Sequence, residues 1–194
     1  MIFYFLLNSF TTKQVNNTNE IDETLFERIG AEDFKALEEL YIKTERTMYA
    51  YVLSLVRDHQ KTLDIVQETY LKIRTSSHLY KPKGKPLAWM FTIAKNIYLT
   101  KLRRKKRYAE YENDEIENSL DFSYVTNNDD KIVLESAMKI LSEEEREIVM
   151  LHAVSGMKHR EIAKNLNLPL STALSKYYRA TKKLKKYLKR KGGF

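Results

Sequence analysis

The sequence predicts an all-α fold: two small helical domains joined by a flexible acidic linker. Three observations lead there. Five Gly and three Pro among 194 residues rich in Leu, Ile, Lys and Glu leave little material for turn-rich β structure. Apolar residues recur at helical spacing in two separate stretches. Charge is segregated, with six positive charges in residues 101–107 followed by eight acidic and no basic residues in 109–130. Such an acidic segment buries too little apolar surface to offset the entropy of ordering, so it separates units at 29–108 and 131–190. Residues 1–28 are then an N-terminal extension, expected to be flexible, and 191–194 a tail.

Bulk properties narrow the function. Lys and Arg outnumber Asp and Glu by 34 to 26, giving a net charge of +8 and a pI near 9.4, which favours a polyanionic partner, nucleic acid or anionic membrane. The absence of cysteine removes disulfides, thiolate metal sites and cysteine nucleophiles, and fits a reducing cytoplasm. Each unit is near the size at which one core barely suffices, so a partner shares the stabilisation. The apolar run Met1–Phe10 is shorter than the ~20 residues a membrane helix needs and lacks the flanks of a signal peptide, so no stable membrane insertion is expected. It reads as a peripheral extension without chemistry, with a weak membrane or partner contact as the minority reading.

In the first unit, Ala31 to Val56 places Phe34, Leu37, Tyr41, Met48, Val52 and Leu55 at roughly helical spacing as core. Thr62 to Arg74 sets Leu63, Val66, Tyr70 and Ile73 on one stripe and leaves Asp64, Gln67 and Glu68 toward solvent. On composition alone that face is an ordinary solvated one. A third helix opens at Pro86, a first-turn residue after the loop KPKGKP, and runs to about Arg107. Its core face is Leu87, Met90, Phe91, Ala94, Ile97, Tyr98 and Leu102. Its opposite stripe holds Trp89, Thr92, Asn96, Thr100 and Arg103, then Arg104 in the basic run. This is either a stacking and phosphate-tracking surface for single-stranded DNA or, for Trp89, packing against a neighbouring loop.

The second unit begins with the apolar series Ile132, Leu134, Met138 and Leu141. Ser142 and Glu145 form a capping box for a helix to about Val154, stopped by Gly156. A short helix, His159 to Leu166, a tight connection through Asn167 and Pro169, and a basic helix from Ser171 to Arg190 follow. The last helix buries Ala173, Tyr177, Ala180, Leu184 and Leu188 and exposes Thr172, Ser175, Lys176, Arg179, Lys182, Lys183 and Lys186. Helix, short turn and basic helix make a helix-turn-helix, whose second helix enters the major groove. Ala163 leaves room for the crossing, Asn167 suits a left-handed turn residue, and Ala173 packs between the helices. A helical hairpin with a basic surface is the plainer alternative.

With both units read, the chain resembles the extracytoplasmic-function group of bacterial sigma factors, the minimal form with only regions 2 and 4. Leu63 to Tyr70 resembles the region 2 signature, and Trp89 to Asn96 the promoter-opening motif. Region 4 is matched by Leu141 to Met150, Gly156, Glu161-Ile162-Ala163, Ser171-Thr172, Arg179-Ala180 and Lys183-Leu184, and the match runs from Phe34 to Leu188. The resemblance implies a non-enzymatic transcription initiation factor without cofactor or metal. Its implied partners are core RNA polymerase, through the largest-subunit clamp helices and the flap of the second-largest subunit, promoter DNA, and an anti-sigma factor.

The resemblance also implies residue roles. Asp64, Gln67 and Glu68 would face polymerase; Trp89, Thr92, Asn96, Thr100, Arg103 and Arg104 the −10 element; Ser171, Thr172, Ser175, Lys176, Arg179 and Lys183 the −35 element. Lys158 departs from the Ser or Thr cap of many members, at about 1 kcal/mol of helix start. Leu174, Lys176 and Thr181 stand where Lys, Arg and Arg are frequent, which puts the preferred −35 sequence in doubt. Two other classes remain. A free-standing helix-turn-helix regulator leaves the first unit without a task. A metal-dependent nuclease would need more than His152 and His159, which Gly156 separates.

Overall fold

The computed structural model describes residues 21–108 and 139–190. Expectations for residues 1–20, the linker at 109–130, the apolar series Ile132, Leu134 and Met138, the tail at 191–194 and the side chain of Leu188 lie outside the described residues. The described residues divide into two compact units, 21–108 and 139–190. Among the described residues every regular element is a helix, and none is long and apolar enough to cross a membrane.

The first unit contains α1 (Thr24–Gly30), α2 (Phe34–Val56), α3 (His59–Ser76), a 3-10 turn (Ser77–Leu79) and α4 (Pro86–Tyr108). It begins earlier than the sequence reading placed it. Ile21, Leu25, Phe26 and Ile29 are buried, so 21–28 are packed structure rather than flexible extension. Seven helical residues beside an Asn- and Thr-rich stretch are too few to register as a period.

Side-chain caps set the helix ends. Asp33 accepts from the backbone N–H groups of Lys35 and Ala36 at 2.9 and 3.2 Å, starting α2 at Phe34. Arg57 adopts the left-handed conformation (φ 59°) that ends α2, its N–H reaching the Leu53 carbonyl at 2.9 Å. Asp58 then caps α3 through Lys61 N–H at 2.9 Å.

Every residue from Met48 to Leu55 is buried, so the second half of α2 is the axis of this core. Tyr51 stacks on Phe91 of α4, centroids 3.9 Å apart and 7° from parallel. Met90 and Ala94 are buried beside it, whereas Leu87, Ile97, Tyr98 and Leu102 are half-buried.

Two expected core residues are not core. Phe34 is 62% exposed and Tyr41 39%, because the first half of α2 has partners on fewer sides. Phe34 lies under the Arg74 guanidinium, 4.7 Å from its ring centroid. Tyr41 meets the edge of Tyr70 at 4.9 Å.

The second unit contains α5 (Glu143–Ala153), α6 (His159–Asn165) and α7 (Leu170–Arg190). The Ser142 hydroxyl accepts from Glu145 N–H at 3.3 Å, and the Glu145 carboxylate accepts from Ser142 N–H at 3.0 Å, the reciprocal box read in the sequence. Gly156 (φ 69°) turns the chain after α5. Asn167 takes φ 53°, and Leu168 N–H closes on the Ala163 carbonyl at 2.9 Å. Ala163 and Ala173 are buried at the crossing. At Lys158 half of a box survives, because the Glu161 carboxylate accepts from Lys158 N–H at 2.7 Å.

Phe91→Ala should cost about 3–5 kcal/mol through the cavity and the lost stack. Trp89 is the single tryptophan and lies in this unit, so its fluorescence follows unfolding of this unit alone. Its midpoint should fall well below that of the parent chain, and an unchanged midpoint would contradict the central place given to the Tyr51–Phe91 stack.

Candidate nucleic-acid and partner interfaces

On α3 the spacing of Asp64, Gln67 and Glu68 against the buried Ile65, Val66 and Thr69 forces all three outward, and all are exposed. Leu71, 57% exposed, continues that face one turn on. Between α3 and α4 runs an open groove with Leu71, Ile93 and Ile97 as apolar floor and Glu68, Asn96, Thr100, Lys101 and Arg104 among its polar lining. The carboxylate of Glu68 pairs with the ammonium of Lys101 across it. Both side chains are about half exposed, so the pair is worth at most about 1 kcal/mol and yields readily to a stronger partner.

The groove brings Glu68, expected against polymerase, together with Asn96, Thr100 and Arg104, expected against DNA. Arg103 is exposed but does not line it. Thr92 and Thr100 donate their hydroxyl protons to the carbonyls of Ala88 and Asn96, each at 2.8 Å. Unless those bonds break, they offer an incoming group only oxygen lone pairs. Donation falls to the Asn96 amide and the arginines.

Trp89 follows the packing alternative rather than open display. It is half-buried, its ring 5.3 Å from Phe26 (82°) and 5.2 Å from Tyr80 (67°), with Phe26 and Tyr80 4.1 Å apart. The Glu23 carboxylate accepts from the Tyr80 hydroxyl at 2.7 Å and from Lys83 N–H at 3.0 Å. Thus α1, which the sequence reading left outside the unit, fixes both the start of α4 and the basic loop before it.

In the second unit two of the expected DNA contacts are already engaged. Lys183 donates to both carboxylate oxygens of the buried Glu145, at 2.8 and 2.7 Å. Lys176, half-buried, pairs with Glu144 at 2.6 Å. Burial would push the Glu145 carboxyl up, but the Lys183 ammonium and Ser142 N–H outweigh it and hold the carboxyl below the usual carboxylate range. Ser171, Ser175, Arg179 and Lys182 are exposed, and Thr172 is half-buried. The sequence signal for these pairings was the Glu144-Glu145 doublet opening a helix that packs beside a lysine-rich one.

Gly156 does break the helix between His152 and His159, yet the turn folds the two rings together, stacked with centroids 4.1 Å apart and against Tyr177 at 4.8 and 4.6 Å. His152 Nδ1 contacts the Met157 carbonyl at 2.8 Å, whereas His159 Nδ1 is buried without a hydrogen-bond partner. Among the described residues no three His, Asp or Glu side chains gather as metal ligands would.

Burial, and secondarily the charge of His152, hold the His159 imidazole below its ordinary value of 6.5. The folded unit therefore binds fewer protons than the unfolded chain once the pH falls below about 6.5, and it loses stability there. The depressed Glu145 acts in a separate window, its contribution being lost only as pH falls through the carboxylate range. Far-UV circular dichroism melts of the full chain at pH 7.5 and 5.5, with Trp89 fluorescence as the first-unit control, should show the second unit weakening at pH 5.5. His159→Gln should flatten that dependence, and equal acid sensitivity in the variant would remove the histidine pair as its cause.

Comparison with known proteins connects the two units. A family model described as "Sigma-70 region 2" matches residues 40–108, and one described as "Sigma-70, region 4" matches residues 131–184. The ECF RNA polymerase sigma factor SigK of Mycobacterium bovis (strain BCG / Pasteur 1173P2) is 26% identical over 174 residues, covering 86% of this chain and 92% of the relative. SigK of Mycobacterium sp. (strain KMS) is 25% identical over 166 residues, covering 82% and 86%. Among solved structures, the sigma factor RpoE in complex with the anti-sigma factor NepR from Bartonella quintana superposes with a TM-score of 0.57 at 22% identity, covering 80% of this chain and 98% of that one. CnrH in complex with the cytosolic domain of CnrY gives 0.55 at 21% identity, covering 88% and 98%. With region 2 and region 4 matched in that order on the two helical units just described, the chain belongs to the extracytoplasmic-function group of the sigma-70 family of transcription initiation factors.

Proposed function

We propose that the first unit joins core RNA polymerase to the −10 element and helps melt it, while the second holds the −35 element through α7. The observation that carries this reading is the α3–α4 groove, where an acidic and amide face meets an amide, hydroxyl and guanidinium rim in one unit. Asp64, Gln67 and Glu68 offer carboxylates and an amide to the clamp helices of the largest subunit. Thr92, Asn96, Thr100, Arg103 and Arg104 track the unpaired strand, with Trp89 bracing the loop at its upstream edge rather than lying open. Opening DNA costs about 1.4 kcal/mol per base step, which capture of extruded bases must offset. The polymerase supplies the chemistry; this chain makes and breaks no bond.

In the second unit Ser171, Thr172, Ser175, Lys176, Arg179 and Lys183 face the −35 duplex, and the same unit meets the flap of the second-largest subunit. Lys176 and Lys183 must first leave Glu144 and Glu145. RpoE is in complex with the anti-sigma factor NepR, and by the same reading an anti-sigma protein is a partner of this chain. A free-standing helix-turn-helix regulator would leave the groove of the first unit without a task. Run-off transcription with core polymerase on a genomic library tests the whole assignment.

Asp64→Lys should weaken core polymerase binding while moving stability by less than about 0.5 kcal/mol, because the side chain is exposed. It is a cleaner probe than Glu68→Lys, which would also set two lysines together at Lys101. Native affinity for core polymerase in Asp64→Lys would exclude this face. Asn96→Ala should keep core binding but reduce permanganate reactivity of unpaired thymines at the −10 element; parental reactivity would make the rim ordinary surface.

A further inference from the structure

Two adjacent stripes of α7 reach solvent. Ser171, Ser175 and Arg179 follow at four-residue intervals, and beside them Leu170, Leu174 and Tyr178 do the same. The first stripe is hydroxyl and guanidinium. The second is apolar: Leu174 is half-buried, Leu170 is 39% exposed and Tyr178 64% exposed. On the opposite flank Lys176 and Lys183 are drawn toward Glu144 and Glu145. The open sector of the helix therefore includes Tyr178 beside the expected Ser175, Arg179, Lys182, Lys183 and Lys186.

Tyr178 contributes little to the core, and its ring stands at 67° to that of Tyr177 with centroids 5.9 Å apart, which limits its swing. A lysine-rich face that only held phosphates would have no use for an apolar ring one turn from Ser175 and beside Arg179. The major groove does contain an apolar group for such a ring, the 5-methyl of thymine, and it lies among the acceptors that a guanidinium reads. Tyrosine suits such a contact, being large, rigid and tolerant of water at its hydroxyl end.

Resting on the reading of α7 as the helix that enters the groove, we propose that Tyr178 is a specificity-determining residue that packs its ring on the 5-methyl group of a −35 thymine, beside the base pair addressed by Arg179. The contact selects T over C at one position, through apolar area rather than a hydrogen bond.

Holoenzyme assembled from the full chain and core polymerase is used to select promoters from a library randomised across the −35 element. The parent is compared with Tyr178→Ala, Tyr178→Phe and Arg179→Ala. Tyr178→Ala is expected to lose thymine preference at one position and keep the remainder, and Tyr178→Phe to keep it all. In one selected promoter, deoxyuridine in place of that thymine removes only the methyl group. This should weaken the parent about fourfold, the worth of burying one such group, and leave Tyr178→Ala unaffected. Uniform loss of affinity in Tyr178→Ala, or equal methyl sensitivity in parent and variant, overturns the assignment. If Arg179→Ala shifts a preference while Tyr178→Ala shifts none, the failure is confined to Tyr178. If neither variant shifts any preference, α7 does not read bases and the underlying reading falls with it.

Discussion

In a chain with eight surplus positive charges, each unit sets carboxylates of one helix against lysines of a later, cationic one. Glu68 of α3 meets Lys101 of α4; Glu144 and Glu145 of α5 meet Lys176 and Lys183 of α7. The buried stripe Ala173, Tyr177, Ala180 and Leu184 sets which sector of α7 is open, and α5 draws Lys176 and Lys183 to one flank of it. Glu145 is the firmest of the three carboxylates, since it is buried, caps its own helix and accepts two bonds from one ammonium. Replacing one partner of such a contact leaves the other charge uncompensated, which matters more where burial is greater.

The aromatic cluster at the other end of the chain has a comparable role by different means. Phe26, Tyr80 and Trp89 come from α1, the loop and α4, and Glu23 joins that loop to α1 through Tyr80 and Lys83. A loop made of Lys, Pro and Gly has little of its own to order it. Here it is held at both margins by the helix that precedes α2, so the position of α4 depends on residues far from it in sequence.

Much of this was legible in the sequence where the signal was local. The Ser142–Glu145 box, the start at Pro86, the left-handed Asn167 and the small Ala163 and Ala173 are each dictated by a few neighbouring residues, and each is found in the structure. The outward direction of Asp64, Gln67 and Glu68 followed from period alone. What was not legible depended on tertiary surroundings. Periodicity marked Phe34 and Tyr41 as core because it cannot tell where a helix stops being covered. Helix α1 was missed because seven residues make less than two full turns. The pairing of His152 with His159 was hidden because Gly156, correctly taken as a helix breaker, is also what folds one ring onto the other. On α7, period correctly placed Ser175, Arg179, Lys182, Lys183 and Lys186 toward solvent, but it gave no sign that Lys176 and Lys183 pair with Glu144 and Glu145.

The ties between α5 and α7 change how this protein should be regarded as a polyelectrolyte. The salt sensitivity of binding to DNA measures the counterions released as phosphates are neutralised. A lysine that leaves Glu145 for a phosphate strands a carboxylate near the duplex, and that carboxylate draws a cation back. The exchange then releases less on balance than a free lysine would. The effective valence of α7 toward a polyanion is therefore smaller than its tally of Lys and Arg, and its affinity should fall less steeply with ionic strength than that of a helix of the same composition without internal anions.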